Sequence, residues 1–189
     1  DWSSDVCSSD LVVLTKKTTL MQLKIGSKAP AIKGINQAGK KIKNSDLKGK
    51  KVILYFYPKD STPTCTVEAC NLRDNYKSLT KAGFEVIGVS ADDVKSHDKF
   101  ATKQELPFTL LADTDREVIE AYGVWGEKSM YGKKYMGIIR KTFVIDEKGK
   151  IAAIIDKVDA KNHTKQRSEE HTSELQSHSD LVCRLLLEK

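Results

Sequence analysis

The stretch from Val52 to Cys70 constrains this chain more than any other. An apolar, β-like run, Val52-Ile53-Leu54-Tyr55-Phe56-Tyr57, gives way after a short polar turn to a helix-like stretch that opens at Pro63. Proline at the first helical position is pre-organised for the helix and gives up no needed hydrogen bond, and Thr62 before it is a suitable N-cap. A strand feeding directly into a helix is a building unit of a layered α/β domain. It also puts Cys65 in the first turn of that helix. The N–H groups exposed there carry partial positive charge, which favours a thiolate, the form that attacks oxygen or sulfur. Cys70 follows five residues later.

Taken alone, two cysteines at this spacing fit an inert reading equally well, because buried Cys is a common small apolar residue. Thr62 alone serves as an N-cap. Glu68 alone reads as an acid favoured near a helix start, and Arg140 alone as a surface strand residue. A metal site of Cys65, Cys70, His97 and His163 is the sharper alternative, but the pair lacks the usual C-x-x-C spacing and no second pair accompanies it. His97, in Lys95-Ser96-His97-Asp98, reads as a solvated helix residue.

Along the rest of the chain, residues 31–43 suggest a short hairpin around Asn36-Gln37-Ala38-Gly39, and residues 51–57 the first long strand. A helix is expected over 63–81 and ends at Gly83; a buried strand follows over 84–90. Residues 93–105 read as a helix stopped by Pro107, 108–111 as a short strand, and 115–122 as a short helix. Residues 123–137 have weak periodicity and three glycines and read as a long loop. Strands over 138–145 and 150–157, joined by Asp146-Glu147-Lys148-Gly149, complete the pattern. The fold class is therefore α/β, a mixed central sheet flanked by helices.

With 189 residues, 39% hydrophobic and 31% charged, the chain suits one domain with a real core. No apolar run approaches the roughly 20 residues that span a bilayer, so no membrane association is expected. The net charge of +6 is spread among scattered lysines without aromatic interleaving, which argues against nucleic acid. The opening residues, with Asp1 and Asp5, lack the basic start of a signal peptide, and a cytoplasmic, reducing location is expected.

Both ends look foreign to this domain. Residues 1–11 and 167–177 can be encoded by the two strands of a single DNA duplex, a relationship that unrelated natural segments rarely share. They resemble translated sequencing adapters. The expected division is a non-native leader over 1–20, one domain over 21–166 beginning at Met21, and an adapter-like tail over 167–189.

The spacing Pro58-x-x-x-Thr62-x-x-Cys65 resembles the active-site motif of peroxiredoxins, and Cys65 with Cys70 five residues on is similar to the peroxiredoxin Q group, also called bacterioferritin comigratory protein. Gly137-Ile138-Ile139-Arg140-Lys141-Thr142-Phe143-Val144-Ile145-Asp146 resembles the strand bearing that family's active-site arginine. The opening Ile25-Gly26-Ser27-Lys28-Ala29-Pro30 and Ala121-Tyr122-Gly123-Val124 also match. The resemblance implies a thioredoxin-like fold and a thiol peroxidase acting on hydrogen peroxide and alkyl hydroperoxides. It implies that Cys65 is the peroxidatic nucleophile and that Cys70 resolves its sulfenic acid as an intramolecular disulfide. Arg140 would hold the thiolate and the leaving oxygen, Thr62 would orient the peroxide, Pro58 would shield the sulfur, and Glu68 would orient Arg140. It implies no metal, haem or flavin. The implied reductant is thioredoxin or a similar dithiol protein, and a monomer suffices for a pair within one chain. Two departures stand out: Thr64 occupies a position where the family commonly has Gly, and the tail stands where a terminal helix is usual.

Overall fold

In the computed structural model of the chain, the described residues are 23–156 apart from residue 131. The expectations for residues 1–20, for 157–166 including His163, and for 167–189 lie outside them.

The strand read from Val52 to Tyr57 forms β3 (Lys51–Phe56) at the centre of the molecule. Its residues alternate between faces, and both faces are buried. Ile53 and Tyr55, with Tyr57 just beyond, join one apolar cluster, while Val52, Leu54 and Phe56 join another on the opposite side. On the Tyr55 face lie α1 (Pro63–Asp74), α2 (Tyr76–Lys81) and α3 (Val94–Gln104), which contribute Cys65, Ala69, Leu72, Leu79 and Phe100. On the other lies α4 (Glu117–Ala121), with Val118 and Ile119.

Parallel neighbours β4 (Phe84–Ser90) and β5 (Thr109–Ala112) extend the sheet on one side of β3. Antiparallel β8 (Lys141–Ile145) and β9 (Ile151–Asp156) extend it on the other. The hairpin of β1 (Gly34–Asn36) and β2 (Lys41–Ile42) completes the order β2-β1-β5-β4-β3-β8-β9. The mixed, helix-flanked sheet is therefore as read from sequence. Tyr55 faces Gly88 across the β3–β4 pair, and its ring fills the space a side chain at residue 88 would need.

Three expectations are corrected. The helix over 63–81 is interrupted at Asn75 (φ −93°, ψ 0°), whose side-chain amide donates to the Asn71 carbonyl at 3.0 Å and competes with the backbone ladder. Residues 125–138 are not a loop but a separate hairpin, β6 (Trp125–Met130) and β7 (Lys133–Ile138), which among the described residues pair only with each other. The strand expected over 138–145 breaks at Ile139 and Arg140, where the Ile139 N–H turns aside to the Val124 carbonyl at 2.7 Å. That break separates the hairpin from the main sheet and frees Arg140 from strand pairing.

Candidate active site

The chain leaves β3 at its carboxyl end, turns through residues 57–62 and enters α1. The buried residues of α1 are Cys65, Glu68, Ala69 and Leu72, spaced as one helical stripe. This stripe lays Cys65 and Glu68 against the sheet. Cys70 falls outside it, is only partly buried, and donates its thiol hydrogen to Gln104 Oε1 at 3.5 Å. Both thiols are free.

Arg140 reaches the same place from the other direction. Register pairs Lys141 with Phe56, the last residue of β3, so Arg140 sits one residue beyond that pair, beside the start of the turn. Its Nη2 donates to the Cys65 sulfur at 3.1 Å, and its Nη1 donates to Glu68 Oε2. All three are nearly removed from water, with 2% of Cys65, 5% of Glu68 and 8% of Arg140 exposed. A guanidinium held by a carboxylate on one edge has its other edge fixed toward the sulfur. Removed from water, that contact is screened less than one at the surface. Such a cation stabilises negative charge on sulfur and on an oxygen brought to it.

Thr62 has the extended backbone of an N-cap (φ −81°, ψ 149°), yet its hydroxyl does not cap the helix. The hydroxyl donates back to the Lys59 carbonyl at 3.1 Å. The Thr62 side chain therefore leaves the first-turn N–H groups uncapped. With its proton committed to Lys59, the Thr62 oxygen is left to act as an acceptor. Pro58, in the same turn, is partly buried, and Thr64 in the first turn of α1 is exposed.

His97 overturns its reading as a solvated residue: it is 0% exposed. Its Nδ1 lies 2.8 Å from Asp60 Oδ2, which also accepts the Ser96 hydroxyl at 2.7 Å. Tyr57 donates to Asp60 Oδ1 at 2.7 Å. Burial pushes the Asp60 carboxyl up, but the hydrogen bond and charge of His97, with the Ser96 and Tyr57 donors, bring it below its ordinary value. Burial raises the Tyr57 phenol well above its usual range. The partner that buries His97 lies 37 residues away, so no local pattern revealed it. Asp60 was missed for the same reason, since a Lys-Asp-Ser turn looks solvated.

A mixed sheet with a cysteine at the head of a helix packed on its central strand is the thioredoxin-like arrangement, and a buried cation on that sulfur suits thiol redox chemistry. Comparison with known proteins agrees. The profile of the AhpC/TSA family matches residues 25–154. A putative peroxiredoxin bcp of Coxiella burnetii is 52% identical over 143 residues, covering 76% of this chain and 95% of that protein. Peroxiredoxin Bcp of Escherichia coli K12 is 48% identical over 141 residues, covering 75% and 90%. Among solved structures, peroxiredoxin Q of Xanthomonas campestris matches with a TM-score of 0.70 and 33% identity, covering 87% of this chain and 94% of that one. The chain belongs to the AhpC/TSA family and, within it, to the Bcp and Q peroxiredoxins; it is a peroxidase.

Proposed function

We propose that this peroxiredoxin reduces hydrogen peroxide and alkyl hydroperoxides through Cys65, with Cys70 as the resolving thiol and a dithiol protein such as thioredoxin as reductant. The observation that carries the reading is the Arg140 guanidinium donating to the buried Cys65 sulfur at 3.1 Å. A structural relative, the bacterioferritin comigratory protein of Xanthomonas campestris, is described for alkyl peroxide reduction, which supports the wider substrate range.

The Cys65 thiolate attacks the terminal oxygen of the hydroperoxide along the O–O axis. The S–O bond forms as the O–O bond breaks, Cys65 becomes a sulfenic acid, and the leaving oxygen takes a proton to depart as water or an alcohol. Arg140, oriented by Glu68, stabilises the thiolate before attack and the charge gathering on the leaving oxygen. Thr62 accepts the O–H of the peroxide through the oxygen whose own proton is held by Lys59. Pro58 covers the sulfur without offering a competing donor. The Cys70 thiol then displaces hydroxide from sulfur, giving a disulfide and water, and a dithiol reductant returns both thiols. A monomer is sufficient for this cycle.

The test is mass measurement after one equivalent of peroxide, with and without each cysteine. The parent should lose two hydrogens, Cys70→Ser should gain one oxygen at Cys65, and Cys65→Ser should remain unchanged. Catalytic peroxide consumption by Cys65→Ser would sink the assignment.

A further inference from the structure

We propose that Asp60 and His97 are a positioning pair for peroxide attack, holding the turn that carries Pro58 and Thr62 over the first turn of α1. The inference rests on the reading of Cys65 as the attacking group.

The turn over residues 57–62 is not a relaxed one. Ser61 has φ +56°, a left-handed conformation that strains a non-glycine residue. Such strain persists where the surroundings over-determine the backbone. Asp60 supplies that constraint from both its backbone and its side chain. Its N–H donates to Asp92 Oδ2 at 2.8 Å, and the same Asp92 oxygen is fixed by the Ser90 hydroxyl at 2.8 Å. Its carboxylate gathers Tyr57, Ser96 and His97, at 2.7, 2.7 and 2.8 Å. The turn is thereby fastened to the end of β4 and the start of α3, both outside α1.

His97 is the costly member of this set. It is wholly buried; among the described residues its Nε2 has no hydrogen-bond partner, and its polar contacts run from Nδ1 to Asp60 at 2.8 Å and to the Tyr57 hydroxyl at 3.4 Å. A buried ionisable pair is rarely the cheapest way to stabilise a core, and apolar side chains of similar volume often do as well. Placement of the strained turn gives the pair its use. Glu68 and Arg140 fix the sulfur from the helix and β8 side. Asp60 and His97 fix the turn that carries Pro58 and Thr62 into α1. The pair's loss should therefore slow attack on peroxide without slowing the later step, for which α1 must loosen anyway.

The experiment compares two variants by rapid mixing, reading Cys65 oxidation by hydrogen peroxide and, separately, formation of the Cys65–Cys70 disulfide. His97→Asn keeps a side-chain N–H near the Nδ1 position and should hold the oxidation rate within about threefold of the parent. His97→Leu keeps volume but no donor and should lower that rate roughly tenfold or more, with the disulfide step equal or faster. Oxidation within about twofold of the parent in His97→Leu, or an equal slowing of both steps, overturns the proposal. Should His97→Leu fail to fold, Asp60→Asn is read by the same two rates and the same criteria. A parent protein that forms no sulfenic acid at Cys65 sinks the assignment of Cys65 itself. A normal parent beside an unaffected variant sinks the positioning role alone.

Discussion

Arg140 donates to the Cys65 sulfur at 3.1 Å across 75 residues of sequence, and the same guanidinium is held on its other edge by Glu68, which lies one helical turn beyond Cys65. One side chain therefore ties the head of α1 to the break between β7 and β8. Arg140→Lys keeps the charge but loses the planar fork that serves sulfur and carboxylate together. The second-order rate with peroxide should fall by about 10²-fold or more, the scale for losing a preorganised donor. The thermal midpoint should move far less. A rate within a few-fold of the parent would remove Arg140 from the site.

Glu68→Gln leaves the guanidinium in place but takes away its carboxylate. Breaking a buried pair by removing one partner costs about 3–5 kcal/mol when nothing compensates. Because Gln keeps an acceptor oxygen, a smaller loss is expected, together with a peroxide rate reduced roughly tenfold by a less constrained Arg140. Stability and rate both unchanged would show that Glu68 does not orient Arg140.

Cys65 and Cys70 share the continuous helix α1, where five residues separate Cα atoms by roughly 8.5 Å, and a disulfide needs them closer than about 7 Å. A disulfide between them would therefore require the segment to unwind. Amide hydrogen exchange over residues 67–72 should be slow in the reduced protein and much faster in the disulfide form. Gln104→Ala, which releases the Cys70 thiol from α3, should speed disulfide formation about two- to fivefold, as one hydrogen bond permits. Equal protection in both redox states would argue that Cys70 does not resolve Cys65.

Tyr55 lies beneath α1 with its hydroxyl buried and, among the described residues, without a partner. Tyr55→Phe removes an unsatisfied polar group and should raise stability by about 1 kcal/mol, read as a higher urea midpoint. Gly88→Ala should do the reverse. Its Cβ would lie 2.7 Å from the Tyr55 ring and 2.8 Å from Leu110, overpacking that costs about 1–3 kcal/mol. A neutral Gly88→Ala protein would mean that the sheet yields more easily than its packing implies.

Acid should unfold the protein partly through Asp60. Its folded-state pKa lies below the unfolded value of 3.8, so the folded state binds fewer protons in that interval. The stabilisation is complete above about pH 4 and is lost as pH falls through the lower, folded value. Asp60→Asn should therefore be less stable than the parent at neutral pH and lose less stability below pH 4. The check is the urea midpoint against pH for the two proteins; parallel curves would contradict the linkage.

The sequence by itself determined the local pieces: strand β3, the helix opening at Pro63 with Cys65 in its first turn, and the peroxiredoxin motif that named the family. These depend on residue spacing within a few turns or a single strand, where periodicity and proline chemistry act directly. Only the tertiary structure decided the rest. The hairpin over residues 125–138 pairs with itself outside the main sheet, so it lacks the burial that imposes a readable pattern. His97 sits among polar neighbours in sequence and is buried because Asp60 meets it from another element. Arg140 reaches Cys65 because antiparallel pairing of β3 with β8 brings Lys141 opposite Phe56. Contacts at such separations are set by strand register and the packing of layers, and the residues at either end carry no local trace of the partner they will meet.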